Sequence, residues 1–194
     1  MEFSDLVRTN RSYRRFDGHH RIAAETMRDL VELARITPSA MNRQPLKYIV
    51  SCSQQTNARI YETLAWAGSL KDWDGPEPDE RPTGYIVVLV DKALNPNAGN
   101  DIGIAAQTIL LGAVSIGLGG CMVGAIKRPA LQQVLSVPDG LEIGLVVALG
   151  QPVERIVLED AESGASITYY RDPDQTHHVP KRSLKEILVA EHTE

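Results

Sequence analysis

The chain has 194 residues, 43% of them hydrophobic, and a net charge of −5. That length supports one sizeable core and one domain spanning 1–194. The acidic balance argues against a general attraction to nucleic acid, and two cysteines, Cys52 and Cys121, do not make a disulfide framework.

Phe3, Leu6 and Val7 mark a short first helix, and Asp17-Gly18 reads as a turn. Met27, Leu30, Val31 and Ala34 recur at helical spacing, so 25–36 is a helix with one buried face, stopped by Pro38. Residues 46–52 alternate loosely and read as a strand. Residues 56–67 read as a helix with Ile60, Leu64 and Ala67 on one face. Residues 71–83 are rich in proline and acid and have no period, so they form a loop. A β-rich run at 85–90 reads as a buried strand. The helix over 101–116 is apolar nearly all round, which makes it either core or the seam of a homodimer. A short strand or turn follows at 121–126, a helix at 129–135, a turn at Asp139-Gly140, a strand at 143–149 and a last short helix at 183–189. Helices and strands mix without strict βαβ alternation or repeats. The expected class is α+β, with helices packed around a central sheet.

From Ile102 to Ile126 no residue is charged, a length that spans a bilayer. Gly117, Gly119 and Gly120 interrupt that run, as do Gln107, Thr108 and Ser115, so it reads as a buried helix, turn and strand. The first fifteen residues lack the apolar core of a signal peptide, and the expected compartment is the cytoplasm. His19, His20, His177, His178 and His192 have no metal-ligand spacing and read as solvated loop residues.

Two motifs stand out. Asn10-Arg11-Ser12-Tyr13-Arg14-Arg15-Phe16 places three guanidiniums and a hydroxyl within five residues. Guanidinium forks match phosphate oxygens, although one such cluster also suits a solvated basic turn. Pro38-Ser39-Ala40-Met41-Asn42-Arg43-Gln44-Pro45 carries prolines that a helix stop explains, and the amides of Asn42 and Gln44, which it does not. A third stretch, 117–124, is glycine-rich but follows a helix and starts none. It is a weak dinucleotide fingerprint and a better tight turn. Near the end lies a basic pair, Lys181-Arg182.

In this order and at these separations, the motifs resemble the FMN-dependent nitroreductase family. The resemblance runs from Arg8 to Leu188. It departs at Asn10, where the family commonly has a second arginine, and at Leu46, where tryptophan is common. It implies a central mixed or antiparallel sheet flanked by helices, with the C-terminal arm exchanged in a homodimer and FMN at the subunit interface. It also implies NADH or NADPH as co-substrate and a nitroaromatic, quinone or related conjugated acceptor. Other flavin reactions share the fold, among them reductive dehalogenation and cyclic-amide dehydrogenation, as does non-catalytic flavin sensing. By the resemblance, Asn10, Arg11 and Ser12 hold phosphate, joined by Lys181 and Arg182. Arg14 lies at the N1/C2 edge of the flavin and acts electrostatically. Pro38, Ser39, Ala40, Met41, Asn42 and Gln44 serve the ribityl chain and flavin edge, and Val123, Gly124 and Ala125 lie near N5. No catalytic acid or base is implied. In the 71–83 loop, Trp73 and Lys71 are candidates for contacting the acceptor. The plainer reading makes Trp73 an anchor of a solvated excursion.

Overall fold

A computed structural model describes residues 1–193. The chain divides into two compact units, one of 1–66 with 75–153 and the other of 67–74 with 154–194.

The first unit is built on a four-stranded sheet in the order β1-β2-β4-β3, antiparallel throughout. Its strands are β1 (Leu46–Ser51), β2 (Gly84–Asp91), β3 (Gly119–Val123) and β4 (Leu141–Gly150). Seven of the eight residues of β2 are buried, so this strand is covered on both faces and reads as a continuous apolar run. Helix α1 (Phe3–Thr9) leads into the sheet, and α2 (Ala24–Arg35) and α4 (Gly99–Ser115) pack on one face. Met27, Leu30 and Ala34 of α2 meet Ala105, Ala106, Ile109, Leu110 and Ala113 of α4 above Ile86, Val88, Val147 and Leu149. Helices α3 (Gln54–Tyr61) and α5 (Arg128–Leu135) complete the unit.

Helix α4 is less uniform than its sequence suggests. Its buried stripe leaves Gly103, Ile104, Gln107 and Ser115 exposed. It ends at Ile116, and Gly117 follows with φ 81°. Among the described residues, no helix is long and apolar enough to cross a membrane. Helix α3 stops six residues before the sequence suggests. The Thr63 hydroxyl donates to Ile60 O at 2.6 Å, and Leu64 leaves the helix to pair with Ile126.

The second unit holds a three-stranded sheet in the order β5-β7-β6: β5 (Ile156–Asp160), β6 (Tyr170–Arg171) and β7 (His177–Lys181). The final helix, α6 (Leu184–Ile187), is a single turn capped by Ser183. Two histidine assignments are corrected here. His177 is buried, and His178 sits in β7 between two carboxylates rather than in a solvated loop. Strand alternation turns one ring to each side.

Candidate functional site

The first motif leaves α1 at its C-cap, Asn10, which is buried and whose N–H donates to Leu6 O at 2.8 Å. The chain then runs extended beside β3. Ser12 bridges to Gly120, and the Tyr13 N–H donates to Gly120 O at 3.0 Å. Glycine is required at 120 because a Cβ would lie 2.4 Å from Ala148 O.

The three guanidiniums of this segment differ. Arg15 is committed to Glu80 through a two-pronged ion pair at 2.6 and 2.7 Å. Arg14 Nη1 donates to Ser12 O at 3.2 Å, which folds it back on its own backbone. Arg11 Nη2 donates to Val7 O at 2.7 Å, but its Nε is buried without a partner. Burial lowers the Arg11 pKa, an effect that nearby Tyr13 opposes. A buried, orphaned cationic donor calls for an acceptor, and a phosphate oxygen supplies one.

The second motif is a strained loop. Met41, Asn42 and Gln44 have φ of 52°, 54° and 48°, in the left-handed region that side chains disfavour. Local bonds hold it there. The Gln44 N–H donates to Ser39 Oγ at 3.0 Å, and Gln44 Nε2 donates to Asn42 Oδ1 at 3.0 Å. A third support is distant in sequence: the Ala40 N–H donates to Oδ1 of buried Asp101, in the first turn of α4, at 3.3 Å. Asp101 Oδ2 accepts from Asn95 Nδ2 at 3.3 Å. A cavity of about 220 Å³ lies behind Pro38, Ser39 and Gln44, with Tyr48 and Asp101 in its lining. Burial, helped by the Asp101 charge, pushes the Tyr48 phenol up to about 12. Met41 is 83% exposed, so the loop's crown faces outward.

Val123 is buried at the end of β3, whereas Gly124 and Ala125 are exposed just past it. Ala125 O accepts from the Ala65 N–H at 3.0 Å, and nothing lies within 4 Å of a Cβ at Gly124. The backbone there is open to a ligand.

The first two motifs do not converge within one chain. Gly120 is level with Leu149 and, through it, with Gly84. Pro45 is level with Asp91, seven residues along β2 and at the opposite edge of the sheet. With strand spacings near 4.8 Å and a rise near 3.3 Å per residue, the separation is about 27 Å.

In the second unit, the Arg171 guanidinium lies 4.2 Å above the Trp73 ring centroid and pairs with the buried carboxylate of Glu154 at 3.1 Å. One face of Trp73 is thereby covered, which fits an anchor. Lys71 is exposed. Lys181 ends β7, and Arg182 Nε lies 3.4 Å from Glu186 Oε1 on the surface. Among the described residues, no group of histidines, cysteines and acids is placed to hold a metal ion.

Asp101, the buried support of the second motif's loop, is the residue that sequence alone misses. Its only signal is a lone charge opening an otherwise uncharged helix.

Comparisons with known proteins bear on the family and the fold. The chain is 26% identical over 184 residues to a protein of Methanothermobacter thermautotrophicus provisionally named NADH dehydrogenase/NAD(P)H nitroreductase, covering 91% of this chain and 86% of that one. A Desulfovibrio desulfuricans protein, provisionally called a nitroreductase and solved in complex with FMN, superposes with a TM-score of 0.67 at 22% identity. That match covers 98% of this chain and 97% of the other. An FMN-dependent nitroreductase from Clostridium difficile R20291 gives 0.63 at 20% identity, over 77% and 87% of the two chains. The antiparallel sheet flanked by helices is thus a known fold. The model of the nitroreductase family matches residues 7–151, three quarters of the sequence, and the chain belongs to that family.

Proposed function

We propose that the protein is an FMN-dependent NAD(P)H oxidoreductase that reduces nitroaromatic, quinone or related conjugated acceptors in the cytoplasm. The observation that carries this reading is the orphaned, buried Nε of Arg11 beside an extended strand edge. It fits an anionic cofactor headgroup better than a solvated turn does, since a solvated guanidinium leaves no donor dry.

When bound, FMN supplies two-electron chemistry between a reduced nicotinamide and the acceptor. The chain's residues bind and orient it. Arg11 and Ser12 hold the phosphate, and uncharged Asn10 supports the turn from its buried position. Arg14 puts positive charge beside the polar edge of the ring, where electron density accumulates on reduction. Gly124 and Ala125 border the reactive edge with open backbone. Asn42 and Gln44, stiffened by Ser39 and Asp101, offer amides to the ribityl chain.

The span of about 27 Å between the two motifs supports a composite site. Arg11 and Arg14 of one subunit work with the Pro38–Gln44 loop of a second copy, so the functional unit is a homodimer. The exposed stripe of α4 at Ile104 and Gln107 is available for that contact.

The test is the absorbance spectrum of the purified protein, followed by anaerobic titration with NADH and with NADPH. A yellow protein that releases FMN on heating and bleaches with at least one nicotinamide is expected. Recovery of FAD sinks the reading, as does a flavin neither nicotinamide reduces. Sedimentation must show a dimer, and an FMN-loaded monomer refutes the composite site.

A further inference from the structure

We propose that a pocket at the N-terminal end of β2, lined by no residue of the three motifs, binds a tetrahedral oxyanion: inorganic phosphate or the phosphoryl group of a small metabolite. The pocket measures about 210 Å³ and lies among α3, the Gly18 turn and the segment that leads into β2.

Its frame is fixed by buried bonds. Asn57 Oδ1 accepts from Ser51 Oγ at 2.6 Å, and Asn57 Nδ2 donates to Thr83 O at 2.8 Å. The Gly18 N–H donates to Asp79 O at 2.7 Å, and a Cβ on Gly18 would lie 2.4 Å from that same oxygen. Turn and segment therefore touch backbone to backbone.

Three polar side-chain atoms of the lining are buried without any partner: Tyr85 Oη, Thr83 Oγ1 and Arg81 Nε. Tyr85 is fully buried and Thr83 is 3% exposed. Each orphan costs its full desolvation free energy unless a ligand satisfies it. Arg81 Nε is a donor only, and both hydroxyls can donate. Burial drives the Tyr85 phenol far above its ordinary range, so it stays protonated. An acceptor-rich anion offers the lone pairs that such donors lack.

Charge points the same way. The Arg81 guanidinium lies 3.8 Å over the Tyr61 ring, and its ion pair to Glu62 is loose at 3.9 Å and exposed on the Glu62 side. Arg21 adds a second cation to the lining. Glu62 and Glu77, the carboxylates whose charge is felt at Tyr61, are both exposed. Several waters also fit the volume, since one water occupies about 30 Å³. Water alone does not neutralise Arg81.

The experiment uses the full chain saturated with FMN, so that the Arg11 cluster is already filled. Inorganic phosphate is titrated at constant ionic strength while the Tyr85 ring is followed by ¹³C NMR, assigned from Tyr85→Phe. A saturable shift of Tyr85 is expected, with a rise in Tm of about 4 °C at tenfold the Kd. Acetate should give neither. Arg81→Gln and Thr83→Val should lose the Tm rise, and the wild-type NMR signal decides the matter should either variant fold poorly. Glycerol 3-phosphate binding at the same site identifies a metabolite's phosphoryl group. Its failure where phosphate binds identifies the free ion. No saturable Tyr85 shift overturns the proposal, as does an equal Tm rise in Arg81→Gln. A response that vanishes with excess FMN belongs to the Arg11 cluster and overturns it too.

Discussion

Asp101 and Ala40 are 61 residues apart, yet the carboxylate of one accepts the backbone N–H of the other at 3.3 Å. The bond ties a left-handed loop to the first turn of α4, where the helix dipole favours a negative charge. Losing it leaves Ala40 N and the buried Asn95 Nδ2 without that acceptor. Asp101→Ala should weaken FMN binding about tenfold, from a cost near 1–3 kcal/mol. Asp101→Asn keeps an acceptor oxygen and should recover part of it. Fluorescence titration with FMN reads the effect, and equal affinity in wild type and Asp101→Ala excludes a positioning role.

The two arginines of the first motif should separate cleanly. Arg11→Ala should reduce FMN retention, because a charge-assisted bond is worth about 1.5–3 kcal/mol. Arg14→Ala should instead lower the flavin midpoint potential and slow reduction by NAD(P)H at full occupancy. Spectroelectrochemistry measures the potential. An unchanged value in loaded Arg14→Ala removes that residue from the flavin edge.

The imidazole of His178 faces Glu159 Oε1 through Nδ1 at 2.5 Å and Asp172 Oδ2 through Nε2 at 3.1 Å, with Tyr170 stacked on its ring. Only the imidazolium donates to both acids. The bond to Asp172 first, and that to Glu159 next, raises the His178 pKa above its ordinary 6.5. The same bond to His178 lowers Asp172 below its ordinary 3.8. A raised histidine contributes stability that is complete below pH 6.5 and is lost as pH rises through its folded value. A lowered aspartate contributes above pH 3.8 and is lost as pH falls through its own folded value. The β5-β7-β6 sheet should therefore hold best between those limits and loosen on the alkaline side. An NMR titration of His178 should give a midpoint above 6.5. A midpoint at or below 6.5 contradicts the clamp, and His178→Gln should flatten the alkaline loss.

Gly120 tests the strand edge that carries the arginines. A methyl group there meets Ala148 O at 2.4 Å and crowds Leu110 and Leu149. Gly120→Ala should cost about 1–3 kcal/mol and displace the Ser12 bridge. Lower Tm together with poorer flavin retention is the expected pair. Normal retention in a destabilised variant separates the arginine segment from the edge it pairs with.

Legibility in the sequence followed burial. The strand at 85–90 and the helix at 101–116 were plain because continuous apolar runs leave few alternatives, and Pro38 ended α2 as its missing N–H requires. The sheet of the second unit has no comparable signal in the sequence. Strands β5, β6 and β7 are short and half exposed, and β5 pairs with β7 in parallel across sixteen intervening residues, a contact that no local pattern announces. Motif spacing singles out Arg11, Ser12 and the Pro38–Gln44 loop as candidates. Their separation across the sheet is not legible there, because it depends on strand order. The 81–85 pocket gave no signal, since Arg81, Thr83 and Tyr85 look like an ordinary strand entrance.

The distance between Gly120 and Pro45 also bears on inheritance and assembly. In a composite site, a subunit lacking Arg11 still carries a sound loop, and a subunit with a damaged loop still carries Arg11. Each mutant alone fills neither of its two sites. Mixed dimers bring both defects together in one site and leave the other whole. Two inactive alleles expressed in one cell would then complement each other, with half of the sites in every heterodimer restored. Within a single such pair, the symmetry of the enzyme would be broken by genetics rather than by ligand.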